Sequence, residues 1–322
     1  MLPLPQFRHH SPKSLDEAVA LLGELGDKAR IIAGGTDLLP NMKHGLIEPD
    51  HVVSLADIDE LRGITLSGDQ LIIGAMTSLA EVAAHADVRA HAPAFAEAAG
   101  LIGGPHHRRM GTVGGNVCLD TRCLYYNQTY FWREALGFCL KKDGTACHVV
   151  TSGKNCVAAA SNDSAAALMV LEGSIVLQSP RGRRTIAADA FYIADGIHNT
   201  VKEPDEIVIE VTIPVVAGRR SAYEKLRRRG AIDYPLLSVA ARLDVEEGQV
   251  HGADLVVSAL AARPKQIKAA GKLSGPVGEV DFAALSATAR KQCHPLSNID
   301  QDMEWRKDMV AVLVRRAFER IR

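Results

Sequence analysis

The sequence predicts an α+β chain, and three features carry that expectation. Helix start signals of the capping-box type open amphipathic segments, short β-type runs end at glycine turns, and the two alternate along the chain. At 322 residues there is length for about two or three compact units. An apolar content of 47% suffices for a sizeable core.

Ser14-Leu15-Asp16-Glu17 is a capping box. It opens a helix with Ala18, Leu21, Leu22 and Leu25 on one face. Arg30 to Ala33 reads as a buried strand running into the turn Gly34-Gly35-Thr36-Asp37. His51 to Leu55 and Gln70 to Gly74 are further strands. Ser78 to Glu81 is a second capping box, and Pro93 to Leu101 an alanine-rich helix. Gly103-Gly104-Pro105 stops it and leaves His106 and His107 in a turn. A loop, Gly111 to Asn116, follows. Ser164 to Leu171 reads as helical or buried, Ser174 to Gln178 and Glu206 to Ile213 as strands. The basic turn Arg181 to Arg184 reads as a solvated hairpin tip. A boundary near Val216–Arg220 divides residues 1–217 from 218–322. In the second part, Leu236 to Val245 and Ala253 to Ala261 form a hairpin around Glu246-Glu247-Gly248. Helices follow over Phe282–Gln292 and Glu304–Ile321, the latter with Trp305, Met309, Val312 and Leu313 sharing a face.

A formal charge of −1 argues against non-specific nucleic-acid binding, which needs a basic face. No apolar run reaches the ~18 residues of a membrane span, and the first residues do not read as a secretory leader, so the expectation is a cytoplasmic protein.

Two places carry chemistry. The first is the pair of glycine-rich junctions, Ala33–Asp37 and Gly111–Asn116. Glycine lets successive backbone N–H groups converge on an anion, so two such junctions can grip a pyrophosphate, with Thr36 and Asn116 adding donors. A Gly-Gly turn alone is commonly only a turn. The second is Cys118 to Cys156, which holds five of the six cysteines and a crowd of aromatics in a chain otherwise poor in them. Cys123, Cys139, Cys147 and Cys156 follow neither the ferredoxin spacing nor a zinc knuckle. In a reducing compartment such thiols serve as ligands or redox groups more often than as disulfides. An iron–sulfur cluster, a zinc ion and four metal-free thiols all stay open. The aromatics would shield a cluster, and Arg122, Arg133, Lys141, Lys142 and Lys154 could offset its charge, although loop charges usually face solvent. Cys118 and Cys293 read as core.

Four stretches together resemble the FAD-binding medium-subunit family of the xanthine and carbon monoxide dehydrogenases. They are Ile32 to Leu38, Gly111 to Asn116, Asn162 to Leu168, and Tyr223-Glu224-Lys225. The resemblance implies a two-part FAD-binding module of the PCMH type, residues 1–217 with parts 1–55 and 56–217. A C-terminal domain, 218–322, would be a β-sheet packed with helices. Ile31, Ile32, Ala33, Gly34, Gly35, Thr36, Asp37 and Leu38, with Thr112, Val113, Gly114, Gly115 and Asn116, would hold the FAD pyrophosphate and ribityl. Ile102 would border the flavin or adenine. Asp163 would hydrogen-bond the flavin side of the cofactor, and Val208 and Lys225 would approach the isoalloxazine. The insertion at 119–160 is similar to that of 4-hydroxybenzoyl-CoA reductase beta subunits, where Cys123, Cys139, Cys147 and Cys156 would ligate a [4Fe–4S] cluster.

By this resemblance the chain would carry electrons and hold no substrate-converting residue. It would dock with a small [2Fe–2S] subunit and a molybdopterin-bearing large subunit, in a dimer of heterotrimers, and take electrons from ferredoxin. Two rivals stand beside that reductase. One is the FAD subunit of a molybdenum hydroxylase running oxidatively. The other is a scaffold subunit with a structural zinc loop.

Overall fold

The computed structural model describes residues 2–322 and contains three sheets. The first is parallel, with His51–Ser54 between Arg8–His10 and Ala29–Ile32. Parallel strands need a crossover, and the helix Leu15–Leu25 lies in it, capped by the Ser14 hydroxyl, which accepts from the Glu17 N–H. Leu15, Ala18, Val19 and Leu22 are its buried residues, while Leu21 and Leu25 lie at the margin. The apolar stripe is thus turned slightly from the expected one.

The second sheet is antiparallel, in the order Ile64–Ser67, Gln70–Gly74, Ile207–Pro214, Ser174–Ser179, Gly182–Ala187. Its neighbouring strands Gln70–Gly74 and Ile207–Pro214 are far apart in sequence, and the intervening chain carries most of the site. There the helices Leu79–Ala84, Pro93–Leu101 and Asp163–Val170 share one core with the sheet. Every residue of Asp163–Val170 is buried, which suits a helix apolar on nearly all sides. The basic turn is the solvated hairpin tip expected, with Ser179 paired to Gly182 and Arg181 to Arg184 exposed. Gly182 begins a strand, and Arg184 grips the buried Glu206 through Nε at 2.6 Å and Nη2 at 2.7 Å.

The third sheet is antiparallel and built on Arg219–Leu226, Leu237–Glu246 and Gln249–Ser258. Its hairpin turns on Glu247 and Gly248, both at positive φ, as a two-residue turn requires. The second strand therefore starts at Gln249 and not at Ala253. Leu237, Val239, Ala241 and Leu243 face the helices Phe282–Gln292 and Met303–Ile321, while Ala240 and Val256 face the core of the first domain. This is the period-two alternation of a sheet buried on both sides. The long helix buries Arg306, Val310, Leu313, Val314, Ala317, Phe318 and Ile321. Trp305 is 42% exposed, so the expected face was displaced by about one residue.

Two loops proved helical. Pro105–Met110 and Val113–Val117 are short helices, with Pro105 at a first-turn position and Thr112 as an N-cap. The cysteine-bearing stretch has little regular structure beyond the short helix Tyr130–Ala135. Backbone bonds between Arg122 and Ala159 close it at its base, and Asn298 of the C-terminal domain bonds both Leu124 and Val157.

Candidate functional site

A cavity of about 1380 Å³ runs between the parallel sheet, the two glycine junctions and the C-terminal domain. It exceeds the 300–1,000 Å³ usual for small-ligand pockets, which suits an extended ligand such as a dinucleotide. At Gly34 the two junctions press together. A Cβ there would stand 1.8 Å from the Met110 carbonyl oxygen and 2.9 Å from the Gly111 nitrogen. Glycine is required by this close approach. Gly35 has a φ of +69°.

Among the described residues, the N–H groups of Gly34, Gly35, Thr36 and Asp37 donate to no protein acceptor. Four successive unpaired amides at the wall of a cavity form a concave anion-binding nest. The second junction differs. Val113 donates to Thr77 O, Gly114 to Ala75 O, Gly115 to Thr112 Oγ1 and Asn116 to Thr112 O. Its amides are spent, so it meets the cavity through its surface and through Asn116. The Asn116 Oδ1 accepts from the Ser164 hydroxyl at 2.6 Å, and its side-chain NH₂ donates to no protein group among the described residues.

Of the residues singled out from the sequence, Ile31, Ala33 to Leu38, Ile102, Thr112, Gly114, Gly115, Asn116, Asp163 and Val208 line this cavity. Ile32, Val113 and Lys225 do not; Val113 is fully buried. Lys225 stands behind Asp163, with Nζ 2.9 Å from Oδ2 and 3.1 Å from the Leu101 carbonyl. The Tyr223 hydroxyl donates to Asp163 Oδ1 at 2.6 Å. Burial raises the Asp163 carboxyl, and Lys225 and Tyr223 pull against that shift. Lys225 thus fixes the carboxylate that reaches the cavity.

Lining residues that the sequence did not assign to this cavity include Tyr126 and Tyr234, and also Arg122 and Lys141, expected only as charges beside the thiols. The Arg122 guanidinium lies 4.0 Å from the Tyr234 ring centroid and 3.1 Å from Asp37 Oδ1. Tyr234 donates to the same oxygen at 3.3 Å. Burial pushes the Asp37 carboxyl up, against the pull of Arg122. Adjacency to Cys123 was a signal for Arg122; nothing in the sequence marks Tyr234.

The four cysteines of the insertion lie in one neighbourhood behind this wall, near enough for charge on one to act on another. Cys139, Cys147 and Cys156 are buried and Cys123 is half-buried. Cys139 packs with Tyr126 and Leu46, and Cys123 lies against them. Burial is the main cause that pushes the Cys123 thiol up to about 11, and charge on Cys156, Cys139 and Cys147 adds to it. Burial likewise raises Cys156. Such thiols are neutral when bare and become thiolates by binding metal. Among the described residues, no three His, Cys, Asp or Glu side chains converge on a point that one ion could occupy. A tetrahedral zinc at about 2.3 Å from each sulfur needs sulfurs about 3.8 Å apart. A cubane asks for less convergence, because each thiolate binds its own iron. Four cysteine thiols are a donor set that a four-iron cluster takes. Cys118 lines the cavity edge, and Cys293 is core.

The aromatics do not form the expected shield. Tyr126 covers the thiols, whereas Phe131 is 79% exposed. His148 is occupied by the Phe138 carbonyl, 2.5 Å from Nε2. Of the insertion's charges, Arg133 and Lys141 are buried, whereas Lys154 faces solvent as loop charges usually do.

Residues 5–216 match the family described as the FAD binding domain in molybdopterin dehydrogenase, and residues 221–321 match the CO dehydrogenase flavoprotein C-terminal domain. The chain belongs to this family of FAD-binding medium subunits of the carbon monoxide and xanthine dehydrogenases. It is 32% identical to the carbon monoxide dehydrogenase medium chain of Hydrogenophaga pseudoflava, over 98% of this chain and 97% of that one. It is 28% identical to the nicotine 6-hydroxylase medium subunit of Paenarthrobacter nicotinovorans, over 98% and 97%. Among solved structures, reconstituted CO dehydrogenase from Oligotropha carboxidovorans superposes with a TM-score of 0.80 at 33% identity, covering 99% of this chain and 98% of that one. The α+β expectation and its two-domain architecture hold. No helix among the described residues is long and apolar enough to cross a membrane.

Proposed function

We propose that this chain is the FAD-bearing electron-transfer subunit of a molybdenum hydroxylase of the carbon monoxide or xanthine dehydrogenase type, with an additional [4Fe–4S] cluster in its insertion. The observation that carries this reading is the shared wall: Arg122, Tyr126 and Lys141 line the cavity and belong to the insertion that gathers the thiols. FAD takes two electrons and releases them singly, and a cluster moves one at a time. The protein's part is to hold both groups close and dry. The nest at Gly34–Asp37 would hold the pyrophosphate, and Asp163, fixed by Lys225 and Tyr223, would accept a hydrogen bond from the flavin. Cys123, Cys139, Cys147 and Cys156 would hold the cluster in an insertion bounded by residues 119–160. Substrate chemistry would occur on a molybdopterin-bearing large subunit, reached through a small [2Fe–2S] subunit.

The relatives favour outward electron flow, from an oxidised substrate to the flavin. The cysteine insertion favours a second reading, a 4-hydroxybenzoyl-CoA reductase that takes electrons inward from ferredoxin through the added cluster.

The test is Cys139→Ser, purified anaerobically beside the unaltered chain. The unaltered chain should give a cluster EPR signal after dithionite, and the variant should lose that signal while keeping FAD. A folded variant with an undiminished signal overturns the ligand assignment. Loss of flavin and fold together would show that the thiols are structural.

A further inference from the structure

One buried cation lies between the cavity and the thiols. The Lys141 side chain is 5% exposed, lines the cavity, and sits two residues from Cys139. Its Nζ has four acceptors: Gly196 O at 2.5 Å, Thr121 Oγ1 at 2.6 Å, Asp120 Oδ1 at 2.7 Å and Thr121 O at 3.2 Å. An ammonium has three N–H groups, so four acceptors pin it in place. The Tyr126 ring, part of the wall over Cys139, has its centroid 4.6 Å from it.

The link to the thiols is direct. Gly196, which accepts from Lys141, donates its own N–H to the Cys156 carbonyl at 2.9 Å. A Cβ on Gly196 would stand 2.6 Å from Cys156 Sγ. The acceptor that holds the ammonium is therefore the residue packed on that sulfur. The neighbouring cations are committed elsewhere, Arg122 to Asp37 and Arg133 to Asp143. Asp120 opposes Lys141, but its side chain is 31% exposed. Water screens the carboxylate more than the buried ammonium, which leaves positive potential on the thiol side.

Resting on the reading of the four cysteines as cluster ligands, we propose that Lys141 is a positioning residue for electron transfer: its fixed positive charge raises the reduction potential of the centre held by Cys123, Cys139, Cys147 and Cys156. Reduction adds one electron and no proton to a centre already ringed by thiolates. Lys141 stabilises the added charge and changes no bond. In the test the electron comes from dithionite; in the complex it comes from the flavin or an outer donor.

The experiment is an EPR-monitored redox titration of the whole chain, anaerobic, with iron and FAD counted first. Lys141→Met should shift the reduction equilibrium about tenfold toward the oxidised form, about 59 mV for a one-electron couple. Lys141→Arg should restore most of that shift. Asp120→Asn removes the opposing charge and should move the potential the other way. An unchanged potential in a Lys141→Met protein that keeps its iron overturns the inference and leaves the cluster reading standing. Absence of iron from the unaltered chain overturns the cluster reading itself. Should Lys141→Met lose its iron, Asp120→Asn decides, and no upward shift there overturns the inference.

Discussion

Replacing Gly34 by alanine should strip the flavin from an otherwise folded protein. The added methyl would lie 1.8 Å from the Met110 carbonyl oxygen, whereas real Cβ contacts essentially never fall below 3.0 Å, so the junctions must part by at least 1.2 Å. That displacement moves the first of four unpaired amides by more than a hydrogen bond tolerates. Losing two of the four contacts to an anionic pyrophosphate, at about 1.5–3 kcal/mol each, gives about 3–6 kcal/mol. FAD affinity should then fall by about 10² to 10⁴-fold. Overpacking should cost a further ~1–3 kcal/mol of stability. The assay is a fluorescence titration of flavin-free protein with FAD, with circular dichroism as a fold control. Gly278→Ala is the matched substitution, since a Cβ there meets nothing within 4 Å. If Gly34→Ala binds FAD within twofold of the unaltered chain, the nest is not the pyrophosphate site.

Three further outcomes follow from buried charge. Lys225→Met leaves Asp163 uncompensated in a pair whose side chains are 1% and 4% exposed, and should cost about 3–5 kcal/mol in urea unfolding. Asp163→Asn added to it should recover over half of that loss, and a cost below about 1 kcal/mol for Lys225→Met would refute the pair's role. Burial tends to raise the Glu206 carboxyl, but its bonds to Arg184 and the Glu203 N–H outweigh that, and its pKa lies below the ordinary 4.5. Its stabilisation is complete above 4.5 and lost as pH falls through the lower folded value. Stability of the unaltered chain should therefore drop with acid more steeply than that of Glu206→Gln; parallel curves would contradict the shift. Arg306 is fully buried, donates to Leu236, Leu296 and Ala259 carbonyls, and has no carboxylate partner among the described residues. Burial draws its guanidinium down to about 10. Arg306→Met should cost at least about 3 kcal/mol of thermal stability by leaving these carbonyls short of a donor, and a loss under about 1 kcal/mol would show that they find other partners.

Local signals carried much of the fold. Capping at Ser14 and Ser78 and the stop after Leu101 are contacts within a few residues, and the chain shows them directly. Pro105 is ambiguous by nature, for the residue that ends one helix also begins the next. The face of Met303–Ile321 was misplaced because apolar residues flank the buried stripe on both sides, and only the packed sheet selects Val310 and Val314 over Met309 and Val312. The glycine junctions were visible, but which one keeps free amides depends on Ala75 and Thr77, which lie far from both in the pattern. Burial of Lys141 depends on Gly196, 55 residues away. Cysteine spacing named four ligand candidates without showing that they meet. Their common neighbourhood is a tertiary property of a loop closed by Arg122, Ala159 and Asn298.

The proposed function needs two redox groups, flavin and cluster, held by one polypeptide across a common partition. Count iron, acid-labile sulfide, zinc and flavin on the anaerobically purified chain. About four irons, four sulfides and one FAD per chain, with zinc at background, is the predicted result. One zinc, or flavin with no iron, would contradict it and return the insertion to a structural role.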